Sequence, residues 1–183
     1  MSTYTGMEGG PNIAAPPNAL SFDFSRETIE QLLNKAHPNK AIAGLRFHFD
    51  TDGPINTPKR LIGIGVTQGG PQPEEVFTPG SQDYIPDTGN PITRQDFETL
   101  IFGVNGQKVR ACVYFSRTVL RDQILNANNQ RTGIRFFVAP FLISHTTLTA
   151  IGLNGNMMDG NFFRSELPCP PACGGDYRNT NFS

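Results

Sequence analysis

Residues 24–47 read FSRETIEQLLNKAHPNKAIAGLRF, and residues 115–136 read FSRTVLRDQILNANNQRTGIRF. Three blocks recur in the same order: Phe-Ser-Arg at Phe24 and Phe115, an apolar pair before Asn34 and Asn126, and Gly-(Leu/Ile)-Arg-Phe from Gly44 and Gly133. A β-rich run follows each, Leu61-Ile62-Gly63-Ile64-Gly65-Val66 and Leu148-Thr149-Ala150-Ile151-Gly152-Leu153. Chance rarely repeats ordered blocks of this kind, so the chain reads as two divergent copies of one helix-strand-strand unit.

Each block has a physical reading. Ser25 and Ser116 are placed as N-caps, their hydroxyls accepting from an orphan N–H of the first helical turn. Ile29, Leu32 and Leu33 then fall at helical spacing, as do Leu120 and Ile124 in the second copy. Leu45, Phe47 and Phe49 alternate with Arg46, His48 and Asp50, the period of a strand with one buried face. Gly65 and Gly152 mark a bulge or a close backbone approach in the third block. Between the copies, Thr93 and Asp96 open a third helix striped by Phe97, Leu100 and Ile101, and 108–115 alternate as a further strand. The fold class expected is α+β, a mostly antiparallel or mixed sheet with helices on one face and five or six strands.

The boundaries follow from composition. Residues 1–19, rich in Gly and Pro, are expected to form a flexible arm, and 20–163 a single α+β domain. Within it, repeat one covers 20–70 and repeat two 111–160. The connector 68–92 carries so many prolines and glycines that neither helix nor ladder pairing is expected through it. Residues 164–183 form a tail. The chain of 183 residues balances 15 basic against 16 acidic side chains. No whole-molecule field draws in nucleic acid or anionic lipid, so neither is expected as a partner. No apolar run approaches the roughly 20 residues of a membrane span and no secretory leader is visible, so a cytoplasmic protein is expected.

The repeated blocks, together with Pro168-Cys169-Pro170-Pro171-Ala172-Cys173-Gly174, resemble a family of small uncharacterised bacterial proteins. In that family the unit usually occurs once and closes with a Cys-Pro-Pro-x-Cys-Gly tail. The resemblance covers about residues 20–70 and 110–175, and it implies a fold but no activity. Two copies and the long connector are departures from the family pattern.

Candidate chemistry is sparse. Cys169 and Cys173 invite zinc or iron, since thiolate pairs ligate both. Two intervening prolines in extended geometry of about 3.1 Å per residue would hold them apart, whereas a cis bond would bring them together. The bland alternative is a structural tail docked on the sheet, and for Cys112 ordinary packing in a strand. Arg46, His48 and Asp50 share a strand face and form a trio able to bind an anion or move a proton; a solvated face explains them with fewer assumptions. Arg26, Arg117, Arg46 and Arg135 recur at matched positions, either as anion-binding forks near helix N-termini or as salt-bridge partners fixing each helix to its strand. His37 and His145 stand apart. Phe47 and Phe49 share a face with Leu45, which makes them core residues and not a base-stacking platform.

No catalytic or cofactor motif is present. The functional expectation is a non-enzymatic structural or protein-interaction module, self-associating into a homo-oligomer or filament because duplicated sheet units leave open edges. The alternative is a small-ligand or metal-binding protein, or a hydrolase, built on the Cys169/Cys173 tail and the His48/Arg46 face.

Overall fold

The alternating stretches and capped apolar stripes build an α+β structure in which every ladder between the strands is antiparallel. The computed structural model describes residues 20–36, 41–50, 59–67, 74–101, 112–138, 148–165 and 167–168. In chain order these form β1 (Ser21–Ser25), α1 (Arg26–Leu33), β2 (Ile42–Phe49), β3 (Leu61–Thr67), β4 (Glu74–Glu75), β5 (Ile85–Pro86) and α2 (Arg94–Ile101). There follow β6 (Cys112–Ser116), a π-helix (Thr118–Ile124) continued by a 3-10 turn (Leu125–Ala127), β7 (Gly133–Val138), β8 (Leu148–Asn154), β9 (Met157–Arg164) and β10 (Leu167–Pro168). No helix among the described residues is long and apolar enough to cross a membrane.

The strands divide between two sheets, and the division crosses the halves of the chain. The first sheet runs β1-β7-β8-β9; the second runs β10-β6-β2-β3-β4, with β5 also on β3. Thus β1, from the N-terminal half, pairs with β7, and β6, from the C-terminal half, pairs with β2. The two registers correspond: Ser25 lies opposite Gly133, and Ser116 opposite Gly44. Period-two patterning says that a segment is a strand but not which strand it joins, so this crossing was not legible beforehand.

The inner faces of the sheets meet in a cluster of phenylalanines. Phe24 packs edge-on against Phe47 and Phe136, with centroids 5.3 and 5.6 Å apart, and Phe115 packs against Phe47 and Phe136 at 6.1 and 5.5 Å. All four rings are essentially fully buried. Helix α1 lays Ile29, Leu32 and Leu33 into the same core. It comes so close to β3 that side chains at Gly63 and Gly65 would meet Leu32, which accounts for glycine in that strand. In β8 the close approach at Gly152 is made by the Arg131 side chain instead.

Gly44 and Gly133 answer to a different neighbour. A Cβ at Gly44 would run into the carbonyl oxygen of Phe115, and one at Gly133 into that of Phe24, each the residue before a capping serine. The strand must leave its ladder there to start the helix, and the carbonyl turns into the space a side chain would need. Both caps form as expected: Ser25 Oγ accepts from the Thr28 N–H at 3.1 Å and Ser116 Oγ from the Val119 N–H at 3.3 Å.

The second helical segment departs from the expected α-helix. Ser116 to Leu125 is one residue longer than Ser25 to Leu33. A π-turn absorbs one extra residue without moving the ends; here the Leu125 N–H is shared between the carbonyls of Arg121 and Leu120. The connector expectation also needs correction. Glu74–Glu75 and Ile85–Pro86 both pair with β3, and Tyr84 bridges Ile92. Ladder pairing enters this Pro-rich segment because the contacts are only two residues long and lie at the sheet edge, where a missing N–H is tolerated. With α2 it forms a second layer: Tyr84, Phe97 and Ile101 pack on Ile62 and Ile64, the face of β3 opposite α1. The tail boundary likewise shifts, since β9 runs through Arg164 and Leu167–Pro168 pairs with β6.

Replacing Gly44 or Gly133 by alanine tests the close approach. In an open strand the change would stabilise by about 0.5–1 kcal/mol; the collision with carbonyl oxygen should outweigh this and lower unfolding free energy by about 1–3 kcal/mol at each site. Urea titration followed by circular dichroism reads the change, and unaltered midpoints would show that the chain has room there.

Candidate functional site: a buried charge cluster on the second sheet

The outer face of β2 carries Arg46 and His48, Asp50 follows directly after the strand, and all three are buried. The expectation of a solvated face is therefore corrected: the connector and α2 cover it. Burying a guanidinium requires a partner, and the connector supplies it. Glu75 Oε1 accepts from Arg46 Nη1 at 3.0 Å and from His48 Nε2 at 2.6 Å. Its other oxygen, Oε2, accepts from the Tyr84 hydroxyl at 3.0 Å. One carboxylate thus ties two residues of β2 to two points in the connector.

Aromatic rings close the cluster. Phe97 of α2 stacks on Tyr84 at 4.1 Å between centroids and meets the His48 ring edge-on at 4.9 Å. The side chains of Arg46, His48 and Glu75 are only 3, 7 and 2% exposed. Helix α2 is itself held in place by a Thr93–Asp96 capping box, in which Thr93 Oγ1 accepts from the Asp96 N–H at 3.2 Å and donates to Oδ2 at 2.7 Å. Arg94 lies over the Phe77 ring, 4.1 Å from its centroid, which joins the start of the helix to the connector.

Electrostatics follow the geometry. Burial pushes the Glu75 carboxyl up, but the charges and hydrogen bonds of His48 and Arg46 outweigh it and hold the group at about 2. The carboxylate is therefore ionised over the whole physiological range. Burial pushes the Cys112 thiol up to about 12, against the opposing pull of Arg46. Cys112 stays a protonated thiol in the core.

The other arginines singled out by sequence are distributed elsewhere. Arg26 and Arg117 do not bind at helix N-termini; they reach across the molecule to helix C-termini. Arg26 Nη2 donates to Leu125 O at 2.8 Å and to Asn126 Oδ1 at 3.2 Å, and its Nε to Arg131 O at 3.2 Å. Arg117 donates to Leu33 O at 2.6 Å and to Asn34 Oδ1 at 2.7 Å. Each closes the carbonyl end of the helix in the other half. Arg135 faces Asp23 across the β1–β7 ladder, with two parallel bonds of 2.7 Å. The structure therefore brings Arg46 and His48 together and separates Arg26, Arg117 and Arg135 from them.

Glu75 and Tyr84 were not legible as site residues. The only signal was an acidic pair before Val76-Phe77 inside a Pro/Gly-rich stretch, too short for any periodicity to show. Cys169, Cys173, His37 and His145 lie outside the described residues. Among the described residues no group of three or more His, Cys, Asp or Glu side chains is placed to hold a metal ion. Comparison with protein-family models, with curated proteins and with solved structures returned no match.

The Glu75 carboxyl predicts acid sensitivity. Its folded value, about 2, lies below the ordinary 4.5, so its stabilisation is complete above pH 4.5 and is lost as pH falls towards 2. That difference corresponds to about 3 kcal/mol. Glu75→Gln should be destabilised at pH 7 and show a flatter decline of stability across this acid window, measured by urea unfolding at stepped pH. A variant that follows the parent curve would remove Glu75 from the acid response.

Proposed function

We propose that this chain is a non-enzymatic structural or protein-interaction module that associates with further copies of itself, and that its halves descend from one duplicated helix-strand-strand unit. The observation that carries the association is the edge strand β9. Among the described residues it pairs with β8 alone, through Met157, Met158, Asp159, Phe163 and Arg164, and Met157 and Met158 stand 71 and 48% exposed. A strand presenting one row of backbone donors and acceptors beside apolar side chains is a template for strand addition.

Two further observations support the reading. The charged groups that catalysis or anion binding would draw on are already engaged: Arg46 and His48 with Glu75, Arg26 and Arg117 with helix carbonyls, Arg135 with Asp23. The matching registers at Ser25/Gly133 and Ser116/Gly44 favour duplication, since convergence would have to reproduce the same offset twice. Edge geometry bears on the form of the assembly. β9 pairing with itself would close a two-fold dimer, whereas β9 on β1 would propagate as an open filament. A bulge opposite Ile151, with Gly160 at φ 99°, bends β9. Such a bend limits unchecked edge pairing and favours a discrete oligomer.

Size-exclusion chromatography with light scattering is the test. The mass should exceed the 20.0 kDa of one chain and rise with concentration, and Met157→Lys with Met158→Lys should shift it to monomer. A strict monomer at every concentration contradicts the proposal.

A further inference from the structure

Two of the ladders that build the sheets join one half of the chain, residues 20–101, to the other, residues 112–168. β1 completes the sheet of β7 and β8, and β6 completes the sheet of β2 and β3. Arg26 and Arg117 close each other's helices, Asp23 pairs with Arg135, Phe24 packs on Phe136, and Phe115 packs on Phe47. The layer built from 74–101 stays with its own half, because Tyr84, Phe97 and Ile101 rest on Ile62 and Ile64 of β3.

We infer that two copies of this chain associate by exchanging halves, the N-terminal half of one completing the C-terminal half of the other. This is a route to self-association that does not use the β9 edge, and it rests on the reading that the chain associates with itself. The physical argument is that none of these contacts depends on both halves belonging to one molecule. An exchanged dimer makes each of them twice, with the same register and the same partners. Among the described residues, what favours the closed monomer is the covalent link between the halves. It does so by raising the local concentration of one half around the other, an effect on the order of millimolar for short links. Concentrated protein, or protein refolded while concentrated, therefore partitions into the exchanged form.

Position 23 lies directly opposite position 135, and both side chains are partly exposed, so the pair reports which halves are joined. Full-length chains carrying Asp23→Cys are mixed with chains carrying Arg135→Cys, both with Cys169→Ser and Cys173→Ser. The mixture is unfolded, refolded at high concentration and mildly oxidised. Directly opposed strand positions bring Cβ atoms within disulfide reach. A covalent heterodimer containing one chain of each kind is the expected product. A second arm needs no disulfide: Asp23→Arg chains and Arg135→Asp chains each place like charges opposite one another, and exchange between them restores both ion pairs. Native mass spectrometry should then find heterodimers above the statistical half of all dimers. Dimers by light scattering that show neither the mixed disulfide nor the heterodimer excess overturn exchange and leave edge association standing. A monomer in all conditions overturns both.

Discussion

Two guanidinium groups hold the architecture together by capping helices that are not their own. The last carbonyls of a helix have no partner within it and carry the negative end of its dipole, so a charge-assisted donor there is worth more than an ordinary hydrogen bond. Arg26 supplies it to Leu125 and Asn126, and Arg117 to Leu33 and Asn34. Each arginine directly follows a capping serine. The same turn thus starts one helix and finishes the other, and the four helix ends are fixed by two neighbouring points.

Other features follow from this constraint. The strand before each turn must lie beside the sheet of the opposite half, which sets the β1–β7 and β6–β2 pairings. Where the chain leaves the ladder, its carbonyl crowds the facing strand, and only glycine fits at positions 44 and 133. The second helical segment carries one residue more than the first yet must deliver Leu125 and Asn126 to Arg26, and a π-turn takes up the excess. Arg131 reinforces that end by donating to Ile124 O from beneath Gly152 and Gly160, with Asp159 held against its Nε at 3.0 Å. Departure from correspondence is concentrated in residues 74–101. They add a covering layer to the second sheet, and the cost of burying Arg46 and His48 beneath it is met by Glu75.

Much of this was legible in the residues. Ser25, Ser116 and Thr93 announced three helix starts, and the alternation of Leu45, Phe47 and Phe49 announced a strand whose rings form the core. Arg26 and Arg117 were visible as a matched pair, but a guanidinium reaches several ångströms and sequence does not say in which direction. The short alternation Ser21-Phe22-Asp23-Phe24-Ser25 was the missed sign of β1, overshadowed by the cap that ends it. Asn154-Gly155 likewise marked the hairpin into β9. Glu75 and Tyr84 gave no usable sign, because a two-residue strand has no period and their role exists only once the connector lies on β2.

Native-state hydrogen exchange on the intact chain measures the central claim most directly. If each half is completed by the other, amides of β1, β2, α1, β6 and β7 become exchangeable through a single opening, with one free energy and one dependence on denaturant. Protection that persists in one half after the other has exchanged would show two independent units and contradict the account.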